Sequence, residues 1–275
     1  MPAAYRVGAV VYHPKVEQIW SEFGGWFTHQ GLALDVTYFE RYEDQVDALV
    51  DGGLDTAWNT NLAYVQTLER TGGKATATAM RDTDRGWTSV IVARAGGGIA
   101  GLADLNGRRV GFGDADSPQA HILPVHALAA AGVDPDRDWI ATRLDRDLGK
   151  HGDTGGAELA QLARVRAGEL DACVLSSVTL DAVDRLGDAD ALEVVWRSPP
   201  FHHCCFTVLG DDPRHAEFAR LLLAMDATDP RLCEPMELEF VNRWVPFDPT
   251  GYADLVAAVA AGPRLVGGRA GVHAT

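Results

Sequence analysis

The sequence has few cysteines and no long apolar run, and each shortage excludes a class of protein. Its 275 residues include four cysteines, of which two are adjacent and none forms a CxxC pair. This is a poor disulfide framework, and a chain of this length does not need one, so the cysteines are interpreted as free thiols in a reducing compartment. No window of about 18 uninterrupted apolar residues is present, so membrane insertion is not expected.

Basic residues are also scarce, which bears on the possible partners. The chain carries 39 acidic residues against 24 basic ones, for a net charge of -15. Nucleic acid is therefore not expected as a partner, because phosphate contacts need clustered Lys and Arg. A small anion is still compatible with this charge, since one helix N-terminus or one Lys can hold it locally.

Motifs for nucleotide binding and for esterase chemistry are missing as well. The chain contains neither GxxxxGK[ST] nor GxSxG, and the glycines at 96–98 lack the GxGxxG spacing of dinucleotide-binding loops. No export signal precedes the first predicted strand, residues 5–12. The sequence therefore predicts a cytoplasmic location. The alternative is that a leader has been removed and that the protein is periplasmic or lipid-anchored.

Apolar periodicity alternates between strand and helix along most of the chain. Trp20, Phe23, Trp26 and Phe27 recur at helical spacing and predict a helix over 15–30 with a buried face. Short loops link the other segments, and this alternation predicts an α/β fold with a parallel sheet. The strands are predicted at 5–12, 34–39, 55–58, 87–93 and 204–209, and the helices that follow them include 43–51, 62–71, 121–131 and 158–167.

Four segments, in order, resemble the phosphonate-binding branch of the type 2 periplasmic solute-binding proteins. They are LADLNGRRVGFGDADS at 102–117, GGAELAQL through AGELDA at 155–172, WRSPP at 196–200, and ELEFVNRWVP at 237–246 with Tyr252 after it. The resemblance implies a two-lobed α/β fold with two hinge-crossing strands, near 88–93 and 203–209. Lobe 1 would hold residues 1–88 and 205–275, and lobe 2 residues 89–204.

The same resemblance implies a small-molecule-binding protein that closes around an anionic or zwitterionic ligand, phosphonate-like or a carboxylate, in the interlobe cleft. If the protein is exported, the implied partner is the permease of an ABC transporter. Loops at strand ends and helix N-termini should hold the ligand, because free backbone N–H groups and the helix dipole favour an anion. Plain helix capping is the alternative for each loop. The candidate ligand-binding residues are Tyr12, Trp58, Asn59, Thr60, Asn61, Ser117, Gln119, His121, Lys150, His151 and Ser176.

The sequence departs from the resembled family at residues 117–119. The family places a Ser-Thr-Ser run there, whose hydroxyls bind phosphonate oxygens, whereas this chain has Ser117, Pro118 and Gln119. Pro118 removes both a hydroxyl and a backbone donor. A carboxylate or a flatter heterocyclic ligand would therefore suit Gln119 and His121 as well as a phosphonate or better.

Titratable residues in two segments leave open a cytosolic enzyme on the same fold. His151 and Asp153 are two residues apart, so they would project to one side of an extended loop. In the segment 202–205, strand alternation would pair His202 with Cys204 and His203 with Cys205. His151, Asp153 and His203 are the candidate catalytic residues; a metal, iron or zinc, would be bound by residues among His151, Asp153, His203 and Cys205. A fainter resemblance to the pyrimidine synthase of thiamin biosynthesis shows that the fold can host chemistry.

Overall fold

The structure is a computed structural model that describes residues 3–134, 138, 140–153, 155–187 and 191–262. Contacts between Cα atoms divide the chain into two compact units. Unit 1 contains the residues up to Arg85 together with His202–Tyr252, and unit 2 contains Gly86–Phe201 together with the residues from Ala253. None of the helices in these described ranges is long and apolar enough to cross a membrane.

The strands and helices alternate over most of the chain, as the sequence predicts. The strands are β1 Tyr5–Val10, β2 Leu34–Phe39, β3 Thr56–Asn59, β4 Ala75–Ala77, β5 Ala79–Arg81, β6 Ser89–Arg94, β7 Arg109–Phe112, β8 Ile140–Arg143, β9 Ala172–Ser176, β10 Leu192–Arg197, β11 Cys205–Leu209 and β12 Trp244–Pro246. The helices are α1 Lys15–His29, α2 Tyr42–Val50, α3 Asn61–Arg70, α4 Leu123–Ala130, α5 Gly156–Arg166, α6 Ser177–Arg185, α7 Pro213–Leu223, α8 Cys233–Leu238 and α9 Ala253–Ala260.

Each unit is built on a mixed five-stranded sheet. In unit 1 the order is β2-β1-β3-β11-β4, with β11 antiparallel to both of its neighbours. In unit 2 the order is β10-β6-β9-β7-β8, with β6 antiparallel to β10 and β9. The prediction of a parallel sheet is therefore right for β1–β3 and β7–β9 and wrong for β6 and β11, each of which runs antiparallel to both of its neighbours. A strand buried on both faces reads as a continuous apolar run in either direction, so composition could not distinguish the two.

The core of unit 1 is rich in aromatic residues. Trp20, Phe23, Trp26 and Phe27 are all buried on α1, which confirms the predicted apolar face. They lie in one cluster with side chains of β11, α7 and β12, and the Phe27 ring stacks on that of Phe218 at 5.0 Å. This core holds α1 against the sheet whose strand ends carry the loops of the candidate site.

The boundaries of the two units differ from the predicted lobes at two places. Residues 205–275 were assigned to lobe 1, but α9 packs against α4 and belongs to unit 2; residues 263–275 lie outside the described residues. The predicted crossing strands, near 88–93 and 203–209, also each fall within a single unit. The chain instead passes from one unit to the other after Arg85, Phe201 and Tyr252.

Candidate ligand-binding site

In unit 1 the loop that follows β3 presents a helix N-terminus. Thr60 is the N-cap of α3, and its hydroxyl oxygen accepts the Ala63 N–H. The Asn61 side chain donates from Nδ2 to the His202 carbonyl, and its Oδ1 accepts the Leu62 N–H. Asn59, Thr60 and Asn61 are all buried. The structure thus places these three predicted site residues together, at the positive end of a ten-residue helix.

The amide of Asn59 has a fixed orientation that leaves one donor available. Gln45 Nε2 donates to the Trp58 carbonyl at 2.9 Å and to Asn59 Oδ1 at 2.8 Å. Because a carbonyl oxygen accepts hydrogen bonds and cannot donate, Gln45 must turn its NH2 group toward Trp58, and Asn59 must turn its oxygen toward Gln45. Asn59 Nδ2, fully buried, then has no hydrogen-bond partner within the described part of the chain. A buried donor of this kind is costly unless a ligand or a water satisfies it.

Trp58 does not fit its predicted role as a ligand-binding residue. Its ring lies 4.6 Å from that of Phe206 and 5.4 Å from that of Trp244, and its Nε1 donates to Glu239. The prediction relied on the position of Trp58 at the end of a strand just before Asn59, whereas the side chain packs in the core. Tyr12 lies just beyond β1, as predicted, and is half-buried.

In unit 2 the loop after β7 also leads into helical structure. The Ser117 hydroxyl oxygen caps this segment by accepting the Ala120 N–H, and Pro118–Ile122 forms a short π-helix before α4. Such wide turns occur frequently at functional sites. His121 is buried, and burial, together with the positive charge of Arg143, lowers its pKa to about 4. His121 is therefore neutral at physiological pH, and its Nδ1 lies 3.1 Å from the Ala115 carbonyl.

The loop at 150–153 approaches Ser117 and Gln119 through a glycine. Gln119 Nε2 donates to the Gly152 carbonyl at 3.1 Å, so its Oε1 points away from that carbonyl and has no partner among the described residues. Gly152 has φ +78°, and a Cβ built there would lie 2.5 Å from Gln119 Nε2 and 2.6 Å from Ser117 Oγ. Only glycine accommodates both the backbone conformation and this approach. The two loops predicted to share a site in lobe 2 are thus in direct contact.

His151 has an unusual backbone conformation and is completely buried. Its φ is +53°, in the left-handed region that non-glycine residues rarely adopt. The loop turns back on itself, because the Asp153 N–H donates to the Lys150 carbonyl. The prediction of an extended loop that projects His151 and Asp153 to one side is therefore wrong. Lys150 and Asp153 are partly exposed. Strain of this kind persists where the surrounding structure requires it, and it is concentrated at functional sites.

Glu158 is a buried acid of this site that the sequence analysis missed. It lies in the first turn of α5, and its Oε2 accepts the N–H of Ser176, a predicted site residue and the N-cap of α6. Burial raises its pKa, and hydrogen bonds from Ser176, Thr179 and Gln119 only partly offset that increase. A Glu in the first turn of a predicted helix is common, because the helix dipole stabilises a negative charge there. Only its burial distinguishes Glu158 from such a residue, and the sequence does not show that burial.

Two aspartates after β7 hold the neighbouring loop by its backbone. Asp114 accepts the N–H groups of Arg146 and Asp147, and Asp116 accepts that of Gly149. Burial raises the pKa of Asp114 to about 6, and these backbone hydrogen bonds offset only part of the effect. The carboxylates of Asp116 and Asp147 add to the increase. The loop that presents Gly152 thus depends on a carboxylate that is costly to ionise.

We expect Asp114→Asn to stabilise the protein at neutral pH. The folded-state pKa lies above the unfolded value, so the wild type loses stability as pH rises between about 4 and 6. Asparagine keeps the accepting oxygen without the charge, and should raise the free energy of unfolding at pH 7 by about 2 kcal/mol. Urea unfolding at pH 7 and pH 4 measures this, and the gain should disappear at the lower pH.

Asp226→Asn is the matched control for this prediction. Hydrogen bonds from the Thr228 backbone and side chain lower the pKa of Asp226, so removing its charge should bring no gain. A gain of equal size at pH 7 and pH 4 for Asp114→Asn would contradict the ionisation argument.

The segment 202–205 differs from the strand that was predicted there. β11 begins only at Cys205, so His202, His203 and Cys204 do not alternate between two faces of a sheet. His203 Nδ1 lies 3.0 Å from Cys204 Sγ, and both residues are buried in unit 1. Cys205 is fully buried, and burial raises its pKa to about 12. Cys204, and not Cys205, is the cysteine beside His203 and Asp84, so the geometry of the described residues does not favour Cys205 as the predicted metal ligand.

The fold and the loops at its strand ends define an α/β ligand-binding protein, and comparison with known proteins identifies its family. Residues 11–252 match the family of periplasmic substrate-binding proteins of phosphonate ABC transporters. The chain belongs to this family, as the four segments predict, and it has the type 2 periplasmic-binding-protein fold. It is accordingly a small-molecule-binding protein.

Solved structures agree on the fold. A complex of PhnD1 from Prochlorococcus marinus with methylphosphonate has 19% sequence identity and a TM-score of 0.69, over 95% of this chain and 98% of that one. A Xanthomonas citri protein bound to ATP has 20% identity and a TM-score of 0.72, over 94% and 97%. The aliphatic sulphonate binding protein SsuA from Escherichia coli has 15% identity and a TM-score of 0.56, over 97% and 90%.

Membership of this family also bears on the predicted location and on the enzyme alternative. The family's description is periplasmic, which does not support the predicted cytoplasmic location. None of the matched proteins quoted above is described as an enzyme, so the comparisons give the enzyme alternative no support. The catalytic roles predicted for His151, Asp153 and His203 stay predictions.

Proposed function

We propose that the protein binds a small anionic molecule that also carries an N–H or O–H donor. The observation that carries the anionic part is Asn59 Nδ2, a buried donor without a partner among the described residues, beside the N-terminus of α3. A donor and a helix N-terminus together favour a phosphonate, sulfonate or carboxylate group. The matched structures bound to methylphosphonate or described as sulphonate-binding agree with this class.

The groups of unit 2 have the opposite hydrogen-bonding character. Gln119 Oε1 is a buried acceptor without a partner among the described residues, and the nearby Glu158 carboxyl accepts the Ser176 N–H. A carboxylate oxygen has capacity for more than one donor. These acceptors suit an amino or hydroxyl group, and they disfavour an anionic one.

The proposed partner is the membrane-spanning part of an ABC transporter, to which the protein would deliver its ligand. The family description supports this assignment. It also requires export of the chain, so the partner and the periplasmic location are proposed together.

Calorimetric titration with four ligands tests the proposed specificity. The panel consists of an alkylphosphonate, an alkylsulfonate and the ω-amino derivative of each. We expect the amino derivatives to bind more tightly to the wild type, by roughly ten-fold for one well-placed charge-assisted hydrogen bond. We expect Gln119→Leu to reduce this preference, because it removes the buried acceptor and keeps an apolar stem of similar size.

Asn59→Asp separately tests whether the anionic group of the ligand binds beside Asn59. The substitution replaces the free Nδ2 donor by a carboxylate oxygen, so all four ligands should lose at least about ten-fold in affinity through like-charge repulsion. Asn106→Asp, at an exposed position, changes the net charge equally and should leave binding unchanged. Equal affinities of the Asn59→Asp and wild-type proteins would refute the assignment of the anion to α3.

A further inference from the structure

A buried cluster of charged side chains lies in unit 1 and includes part of the segment 202–205. Arg81 donates from Nε and Nη2 to the two oxygens of Asp84 at 2.6 and 2.8 Å. Its Nη1 donates to Glu239 Oε1 at 3.2 Å, and Trp58 Nε1 donates to the same oxygen. One cation thus faces two carboxylates, and this buried group carries a net charge of -1 before its neighbours are counted.

Two further side chains of this cluster are typical metal ligands. His203 Nδ1 lies 3.0 Å from Cys204 Sγ and 3.9 Å from Asp84 Oδ1. The ligand atoms of Asp84, His203 and Cys204 all lie within 4.8 Å of one another, and the three residues are 0 to 2% exposed. Bonds of about 2.0 to 2.3 Å to a tetrahedral zinc ion place ligand atoms about 3.3 to 3.8 Å apart, so small side-chain shifts would suffice.

The backbone around these ligands is held in place. The His203 N–H donates to the Asp84 carbonyl at 2.9 Å, which ties the two ligand-bearing segments together. The Tyr252 hydroxyl donates to the His203 carbonyl at 3.3 Å. Arg81 does not compete with an ion for Asp84, because a carboxylate offers about four lone-pair positions. A hydrogen-bonded carboxylate ligand is in fact the usual arrangement in metal sites.

We propose that Asp84, His203 and Cys204 bind a divalent cation of intermediate softness, best represented by Zn²⁺. Binding would deprotonate the Cys204 thiol and release that proton to solvent, while His203 binds as neutral imidazole. With the thiolate counted, the two positive charges of the ion bring the buried cluster to neutrality. Nitrogen, oxygen and sulfur donors in one set favour zinc over magnesium or calcium, which prefer oxygen alone.

The proposal is tested by titrating the chelator-treated full-length protein with Co²⁺ alone and then with Zn²⁺. We expect one Co²⁺ per chain, with a near-ultraviolet thiolate-to-cobalt charge-transfer band and visible bands of a tetrahedral ion. Zn²⁺ should displace the cobalt and raise the melting temperature. Cys204→Ser should abolish the charge-transfer band, and His203→Asn should weaken Co²⁺ binding.

Two other cysteines provide the matched controls. Cys205→Ser replaces the neighbouring buried thiol, and Cys233→Ser replaces an exposed one. Both variants should keep the band. The proposal is overturned if the wild type shows no thiolate-to-cobalt band, or if the band persists in Cys204→Ser and disappears in Cys233→Ser. The wild-type spectrum decides the question even if a variant fails to fold.

Discussion

Replacing Arg81 by methionine should lower the free energy of unfolding by about 3 to 5 kcal/mol, since it leaves buried carboxylates without a cation. Arg81 is 9% exposed and holds both oxygens of Asp84 as well as Glu239. Methionine fills a similar volume, so the loss of stability comes from the unpaired buried carboxylates and not from a cavity. A loss of this size is a large part of the stability of an ordinary domain. Urea unfolding followed by circular dichroism measures it.

Arg109→Met is the matched control for this prediction. Arg109 also pairs with both oxygens of an aspartate, Asp171, but its side chain is 42% exposed and water can solvate the remaining carboxylate. We expect a much smaller loss there, because exposed ion pairs contribute little to stability. Equal losses of stability for Arg81→Met and Arg109→Met would show that burial of the Arg81 cluster does not determine the size of the loss.

Gly152→Ala should abolish or strongly weaken ligand binding. The added Cβ would lie 2.5 Å from Gln119 Nε2 and 2.6 Å from Ser117 Oγ, so both side chains must move. The backbone at φ +78° is also unfavourable for alanine. Displacing two proposed ligand contacts should reduce the affinity by at least roughly ten-fold, which corresponds to about 1.4 kcal/mol. Calorimetry with the tightest ligand of the four-member panel measures the change.

Gly155→Ala separates the steric effect from the backbone effect. Gly155 has φ +61°, and the nearest atom to an added Cβ is Thr179 Oγ1 at 3.6 Å. This variant therefore carries the conformational cost, of the order of 1 kcal/mol in stability, without a collision. Its affinity should stay close to that of the wild type. If both variants bind equally well, Gly152 does not position Ser117 and Gln119 for the ligand.

Much of the fold could be predicted from local patterns. The apolar face of α1 follows from helical spacing, and the N-cap at Thr60 follows from residue type. The family could be recognised because its four segments lie in the right order along the chain. These features depend on residues close together in sequence, so no tertiary contact was needed to find them.

Side-chain environments were predicted less well. Trp58 was assigned to the ligand and lies in the core, and Cys205 was assigned to a metal, whereas Cys204 is the cysteine beside His203. In both cases the error concerns which way a side chain faces. Residue type and strand alternation do not determine this at the end of a strand, where the backbone leaves the sheet.

The sequence by itself determined the α/β class, the order of most helices and strands, and the family. Only the tertiary structure decided which strands run antiparallel, that α9 belongs to unit 2, and that Gly152 lies against Gln119. It also decided that Asp84 and Glu239, 155 residues apart in the numbering, share one arginine. The reason is that local periodicity reports burial along a segment, whereas pairing and charge neutralisation depend on groups that folding brings together from distant parts of the chain.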